Sequence, residues 1–282
     1  MTLEKPRVAG IEPGTETVRG LRRTRQRRAT AWLWLARLTV LAAVLALWQA
    51  GSGTFLNPFF FSSPIAIGER LGELVASGTL WFHLAVTLQE MAAGFLIGTA
   101  AGIVVGLLFG SVPFIGKIFD PFILALYSLP KIALAPLLII WFGLDLAPKI
   151  VLSAMIVFFL VFFNTMRGVR DVDRELIDVV RVMGASKPQV LQKVTIPAAL
   201  ASIFLGLRVS LPYALVGAVT GELIASNKGL GSLIQRSAAY FDTPGVFAGL
   251  IVLMLITTVL DVGLQRLEAR TLRWRRTANT PG

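Results

Sequence analysis

A chain of 282 residues that is 55% hydrophobic and 15% charged, with a mean hydropathy of +0.73, is built for a bilayer; soluble domains carry roughly 25% charged residues. The absence of cysteine excludes disulfides, thiolate nucleophiles and cysteine-held metals, and any histidine-based zinc site or serine–histidine relay would have to pass through the single histidine, His83, which no such motif surrounds. A net charge of +11 would suggest nucleic acid in a soluble protein, but here basic residues between apolar runs read as membrane topology, with no nucleic-acid partner.

Residues 1–30 are polar, contain Pro6 and Pro13, and end in the basic run RGLRRTRQRR. They read as a disordered cytoplasmic arm that either binds anionic lipid or sets topology. A cleaved signal peptide fits poorly, because the arm is long, the apolar run after it is too long, and no A-x-A site follows. Six spans are expected, each needing about 20 apolar residues. The first covers about Ala31–Ala50, with Arg37 able to reach the interface. Segment 63–78, SPIAIGERLGELVASG, has the spacing of a short surface helix.

The second span, about Trp81–Phe109, opens with His83, read as an interfacial residue. It carries Gly94, Gly98, Gly102, Gly106 and Gly110 on one helix face, a pattern for close helix packing in preference to pore lining. GSVPFIGKI at 110–118 misses a P-loop: its glycines are one residue too far apart and Ile118 stands where a hydroxyl is needed. The chain is therefore expected not to hydrolyse ATP. Further spans are expected at about Ile118–Phe142, Ile150–Phe163, Ala198–Ile224 and Val246–Leu264. Prolines in the third, Pro130 and Pro136, and in the fifth predict kinked or broken helices. Segment 225–244 reads as a glycine-marked loop holding one short helix.

An even number of spans puts both ends on one side. The basic arm, Lys117, the run Arg167–Lys193 and the tail RLEARTLRWRR outweigh Arg70, Lys149, Lys228 and Arg236, so the first set and both termini are expected in the cytoplasm. This divides the chain into the arm, a membrane domain over 31–270 and a cytoplasmic tail over 271–282.

The stretch VRVMGASKPQVLQKVTIPAAL, residues 180–200, interrupts the apolar runs. Leu176, Val179, Val180 and Met183 form one stripe of a short helix, with Arg174, Asp178 and Arg181 opposite. Gly184 suits a left-handed helix end. Ser186 and Gln189 suit a capping box, with Pro188 in the first turn of a second helix. Such a pair could lie on the membrane, pack on its own bundle, or dock into a partner's groove. Ionisable residues inside the spans are the other candidates. Glu90 is placed for helix-to-helix hydrogen bonding or the solute path. Lys131 could attract an anion or brace the proline break. Glu222 could brace a gate at the outer loop, and Asp261 with Gln265 reads as interfacial.

The insert resembles the EAA loop of ABC importer permeases: E-A-A, three residues, G, nine residues, I, one residue, L-P. Asp178-Val179-Val180, Gly184, Val194 and Ile196-Pro197 fill those places. LPKIALAPLLIIWFGLDLAPK at 129–149 and GELIASNKGLG at 221–231 are similar to the nitrate/sulfonate/taurine-type permeases, and the resemblance covers roughly 80–270.

The resemblance implies an all-α, polytopic type I importer permease of about six transmembrane helices in the bacterial cytoplasmic (inner) membrane. Its partners would be a second copy of the chain in a homodimer, an ABC ATPase subunit that uses ATP and magnesium, an extracytoplasmic substrate-binding protein, and membrane lipid; the chain itself would bind no cofactor or metal. Asp178, Arg181, Gly184, Ala185, Ser186 and Pro197 of the loop over 174–197 would couple to the ATPase, and Glu90, Lys131 and Glu222 would line the path. Sulfonates, nitrate, taurine or bicarbonate come first as substrates, ahead of thiamine-precursor or riboflavin-like molecules. A self-sufficient secondary transporter is the competing class. It predicts inverted repeats, which the sequence does not display.

Overall fold

The structure, a computed structural model, describes residues 15–271. Residues 1–14 of the expected arm and nearly all of the expected tail lie outside the described residues. Helix α1 runs Thr15–Gly51 without a break. Residues 15–30, expected to be disordered, are therefore helical. The stretch after Pro13 has no further proline and is rich in arginine, a good helix former. Beyond α1 a tight turn, in which the Gly51 carbonyl accepts from Phe55 and Leu56, leads to α2 (Pro58–Phe61), whose first turn is capped by Asn57.

Residues 66–271 form a separate compact unit. Its elements are α3 (Pro64–Ala76), α4 (Thr79–Ser111), α5 (Pro113–Ser128), a 3₁₀ turn Lys131–Leu134, α6 (Ala135–Phe142), α7 (Leu146–Arg170), α8 (Arg174–Val182), α9 (Lys187–Val190), a π turn Leu191–Thr195, α10 (Ile196–Ala225), α11 (Leu230–Ala239) and α12 (Thr243–Thr271). The short helices expected near 63–78 and within 225–244 are α3 and α11. Among the described residues five helices are long and apolar enough to cross a membrane, and α5 with α6, bent by 77° at the break between them, gives a sixth when the pair is counted as one span.

The bend has a local cause. Pro130 cannot donate to a helix and forces Leu129 into extended backbone (φ −65°, ψ 133°), so α5 stops there and the chain restarts at a new angle.

Helices α4, α7 and α10 make the core. Lipid supplies no hydrophobic drive between helices, so contact must come from close packing. The glycine face of α4 provides it: a Cβ at Gly94, Gly98, Gly102, Gly106 or Gly110 would lie within 2.5–2.9 Å of α7 atoms. The pairing climbs in register from Gly94 against Ser153 to Gly110 against Val169, so α4 and α7 are parallel. Helix α10 runs antiparallel to α7, with Gly217 at Ser153 and Gly206 at Asn164. Met91, Val157, Val161, Leu211 and Leu215 fill the space between the three.

These directions bring the ends of α4 and α7 and the start of α10 to the end of the bundle that carries α8 and α9, here the loop end. The 226–231 segment and α11 lie at the far end. There Arg70 of α3 pairs with Asp242 at 2.8 Å, and Asp242 caps α12 through the Gly245 N–H at 2.9 Å.

Candidate functional site

At the loop end, Asp173 caps α8 by accepting from the Glu175 N–H at 2.9 Å. The helix closes in a Schellman motif: the Gly184 N–H reaches the Arg181 carbonyl at 2.9 Å and the Ala185 N–H reaches the Val180 carbonyl at 3.2 Å. Gly184 has φ +88°, the left-handed value that the motif requires, and a Cβ there would meet nothing within 4 Å. Gln189 accepts from the Ser186 N–H at 2.8 Å, and Pro188 lies in the first turn of α9. The π turn then widens the chain into α10, with Pro197 in its first turn.

The apolar stripe of α8 points away from the bundle. Leu176, Val179 and Met183 are 55%, 58% and 81% exposed, and Val182 beside them is 89% exposed. Val180 is half-buried, whereas Val172 and Val190 are buried and anchor the insert. Packing of the whole stripe on the chain's own bundle is thereby ruled out. Asp178 and Arg181 form an exposed pair at 3.7 Å, whose contribution to stability is small.

At the far end, Glu90 of α4 and Glu222 of α10 meet, as neighbouring buried carboxylates. Lys149, in the first turn of α7, lies 3.2 Å from Glu90 and donates to Ser226 at 2.9 Å. Thr87 donates to Glu222 at 2.6 Å and accepts from the Leu230 N–H at 2.8 Å. The Gly231 N–H donates to the other Glu222 oxygen at 2.6 Å. The carboxylate thus lies over the backbone of 229–231, and Gly229 (φ +96°) is required because a Cβ there would stand 2.1 Å from Glu222 Oε1. Helices α4, α7 and α10, the first turn of α11 and Ser226 of the intervening loop are locked by this cluster.

Two expectations change here. Lys149, counted from the sequence among outside loop charges, is 4% exposed, because Gly221 lets α10 close over its side chain. His83, expected at the interface, is buried at the same end, one helical turn before Thr87. Lys131, given the alternatives of attracting an anion or bracing the proline break, lies apart from Glu90 and Glu222; it donates to the Tyr127 carbonyl across the break and lies over the Tyr127 and Phe159 rings at 4.3 and 4.8 Å. Thr87 and Lys149 were missed, although a signal existed. His83, Thr87, Glu90 and Gly94 stand at i, i+4, i+7 and i+11, so the polar residues continue the glycine face toward α7.

Asp261, read from the sequence together with Gln265, has a second partner. It binds Arg208 of α10 at 3.0 Å through one oxygen and Gln265 at 2.6 Å through the other. Arg208 carries no sequence pattern that marks it, other than a charge within an apolar run.

Comparison with known proteins agrees with this architecture. The profile of the binding-protein-dependent transport system inner membrane component matches residues 98–273. The chain is 36% identical to the putative aliphatic sulfonates transport permease protein SsuC of Bacillus subtilis, over 86% of this chain and 88% of that protein. It is 35% identical to the riboflavin transport system permease protein RibX of Chloroflexus aurantiacus, over 89% and 94%. To the taurine transport system permease protein TauC of Escherichia coli it is 32% identical, over 88% and 94%. In structure it is similar to the MetNI methionine ABC transporter in an inward-facing conformation, with a TM-score of 0.58 at 19% identity, over 72% of this chain and 98% of that one. That likeness shows the type I importer permease fold. With the profile covering the glycine-packed core, the insert and the closing helices alike, the chain belongs to the binding-protein-dependent transport system inner membrane components, the permeases of ABC importers.

Proposed function

We propose that the chain pairs with a second copy to import a small organic anion of the sulfonate class, driven by a cytoplasmic ABC ATPase that docks on α8 and α9. The observation that carries the docking is the exposed stripe of Leu176, Val179 and Met183, held rigid between the Asp173 cap and the Gly184 turn. An apolar ridge with a charged rim fits a partner's groove. The same end carries Lys117, Arg167, Arg170, Lys187 and Lys193, which favours the cytoplasm. The sulfonate class rests on the relatives SsuC and TauC; riboflavin-like solutes are the second reading, from the relative RibX.

In this scheme ATP and magnesium belong to the ATPase. Its closure draws the two inserts together, and α8 transmits the push through the π turn to α10. Helix α10 carries Glu222 in its last turn, so movement at the loop end strains the lock on 226–231. That segment is the gate, and an extracytoplasmic binding protein delivers solute to it. The result is alternating access in a bistable bundle.

The test is retention of the ATPase subunit by the detergent-solubilised chain. A Cβ at Gly184 meets no atom of this chain, so Gly184→Asp strains only the left-handed turn itself (φ +88°), and Val179→Glu alters one exposed ridge residue without touching that turn. Each is expected to lower retention about tenfold, the loss of about 1.4 kcal/mol of binding, with an unchanged gel-filtration profile. Equal retention by both variants would remove the docking role from α8. No retention even by the wild type would overturn the docking reading as a whole.

A further inference from the structure

Arg208 and Asp261 are a second polar locus that the coupling and gating elements do not use. By helix rise, Arg208 lies about 18 Å along α10 from Ile196 and Asp261 about 15 Å along α12 from Thr271. Both positions fall inside a hydrocarbon core about 30 Å thick centred on these helices. Their side chains are nonetheless 45% and 34% exposed, and with Pro212, Thr257 and Thr258 they line an open cavity of about 440 Å³. Ionised groups at that depth pair with one another and face protein or a water-filled cavity in preference to acyl chains, so this face of α10 and α12 is turned away from lipid.

The hydrogen-bonding capacity at the site is unequal. Asp261 has one oxygen on Arg208 Nε and the other on Gln265 Nε2. Thr257 and Thr258 spend their hydroxyl protons on the carbonyls of Leu253 and Met254, at 2.9 and 2.8 Å. Arg208 is engaged through Nε alone, and its two terminal nitrogens carry no hydrogen bond among the described residues. The acceptors are largely satisfied, while the cation's outer fork is not. A guanidinium held at Nε offers two parallel N–H groups to a planar or tetrahedral oxyanion.

We propose that Arg208 is the anion-recognising residue of the solute path, positioned by Asp261 and Gln265, and that it takes the oxyacid group of a small organic sulfonate or carboxylate during passage. This rests on the importer reading above and adds to it the residue that sets the sign of the cargo. The open depression has room for a small solute, with the apolar wall of Leu205 and Val209 for its carbon tail.

The chain has no cysteine, so Thr257→Cys supplies a single thiol beside Arg208. In membrane vesicles carrying the whole importer, its modification is followed by mass spectrometry of this chain. The reagents are the anionic sulfonatoethyl and the cationic trimethylammonioethyl methanethiosulfonates. Relative to a free thiol, the anionic reagent is expected to react about tenfold faster than the cationic one. Arg208→Gln is expected to abolish that preference and Arg208→Lys to keep most of it. Added ethanesulfonate is expected to slow the anionic reagent in the Arg208 background, a readout that stands even where Arg208→Gln fails to assemble.

A thiol that neither reagent reaches, or a preference that survives Arg208→Gln, would overturn the proposal. Ethanesulfonate uptake by the wild type is measured in parallel. An Arg208-dependent preference without uptake leaves the anion site standing and removes the sulfonate substrate. Uptake with an unreactive thiol does the reverse.

Discussion

Gly98→Leu is expected to prevent the bundle from assembling. A Cβ at this position alone would stand 2.5 Å from the Ala154 carbonyl oxygen and 2.8 Å from Val157 Cβ. A backbone carbonyl inside a helix cannot swing aside, so α7 as a whole would have to retreat, and the contacts at Gly94, Gly102, Gly106 and Gly110 would open with it. Overpacking a core commonly costs about 1–3 kcal/mol, and a clash with helix backbone that spreads along a whole interface belongs at or above the top of that range. The measurement is fluorescence-detected gel filtration of a tagged chain after a heat step. Gly72→Leu on α3 is the matched control, since a Cβ there meets nothing within 4 Å. A monodisperse, heat-stable Gly98→Leu protein would show that α4 and α7 do not touch as described.

Lys149→Met is expected to have the second-largest effect. It leaves Glu90 and Glu222 buried side by side without the amine that faces them. Removing one partner of a buried pair typically costs about 3–5 kcal/mol, because the remaining charge is left uncompensated. Adding Glu90→Gln to Lys149→Met removes one of the stranded charges and is expected to recover at least half of the lost thermal stability. Glu222 keeps its donors from Thr87 and Gly231 in the double variant. Hydrogen exchange across 226–231 should rise in the single variant and fall back in the double. Additive losses in the two variants would mean that Lys149 and Glu90 do not act on each other.

What the sequence made legible was mostly local. The four-residue glycine repeat declared the α4 face, Gly184 declared a left-handed turn, and Ser186 with Gln189 declared a cap, because each depends on neighbours within one or two turns. Lys149 was illegible for the opposite reason. A lysine near a span end counts as a loop charge unless its partners are known, and those lie 59 positions upstream at Glu90 and 73 downstream at Glu222. Asp261 was picked out and Arg208 was passed over, and the pair was not legible, since it depends on how α10 and α12 lie together. The π turn at 191–195 has no residue signature, because a widened turn uses the same residue types as an ordinary one. The helix over 15–30 was masked by polarity, which argued for a loop although the residue types permit helix.

The parallel pairing of α4 with α7 has a consequence for biogenesis. Parallel neighbours cannot meet until the chain between them, α5 and α6, has crossed back. Gly110 finds its partner Val169 about 60 residues later in synthesis, a delay on the order of 3–12 s at translation rates of roughly 5–20 residues per second. During that interval the glycine face of α4 lies open in the membrane, and an open face of small residues at this spacing is a ready dimerisation surface. Two nascent chains made close together on neighbouring ribosomes can therefore seal α4 against α4 before either α7 arrives. The yield of correctly assembled permease is then set by how far apart nascent chains are kept, as well as by the stability of the finished bundle.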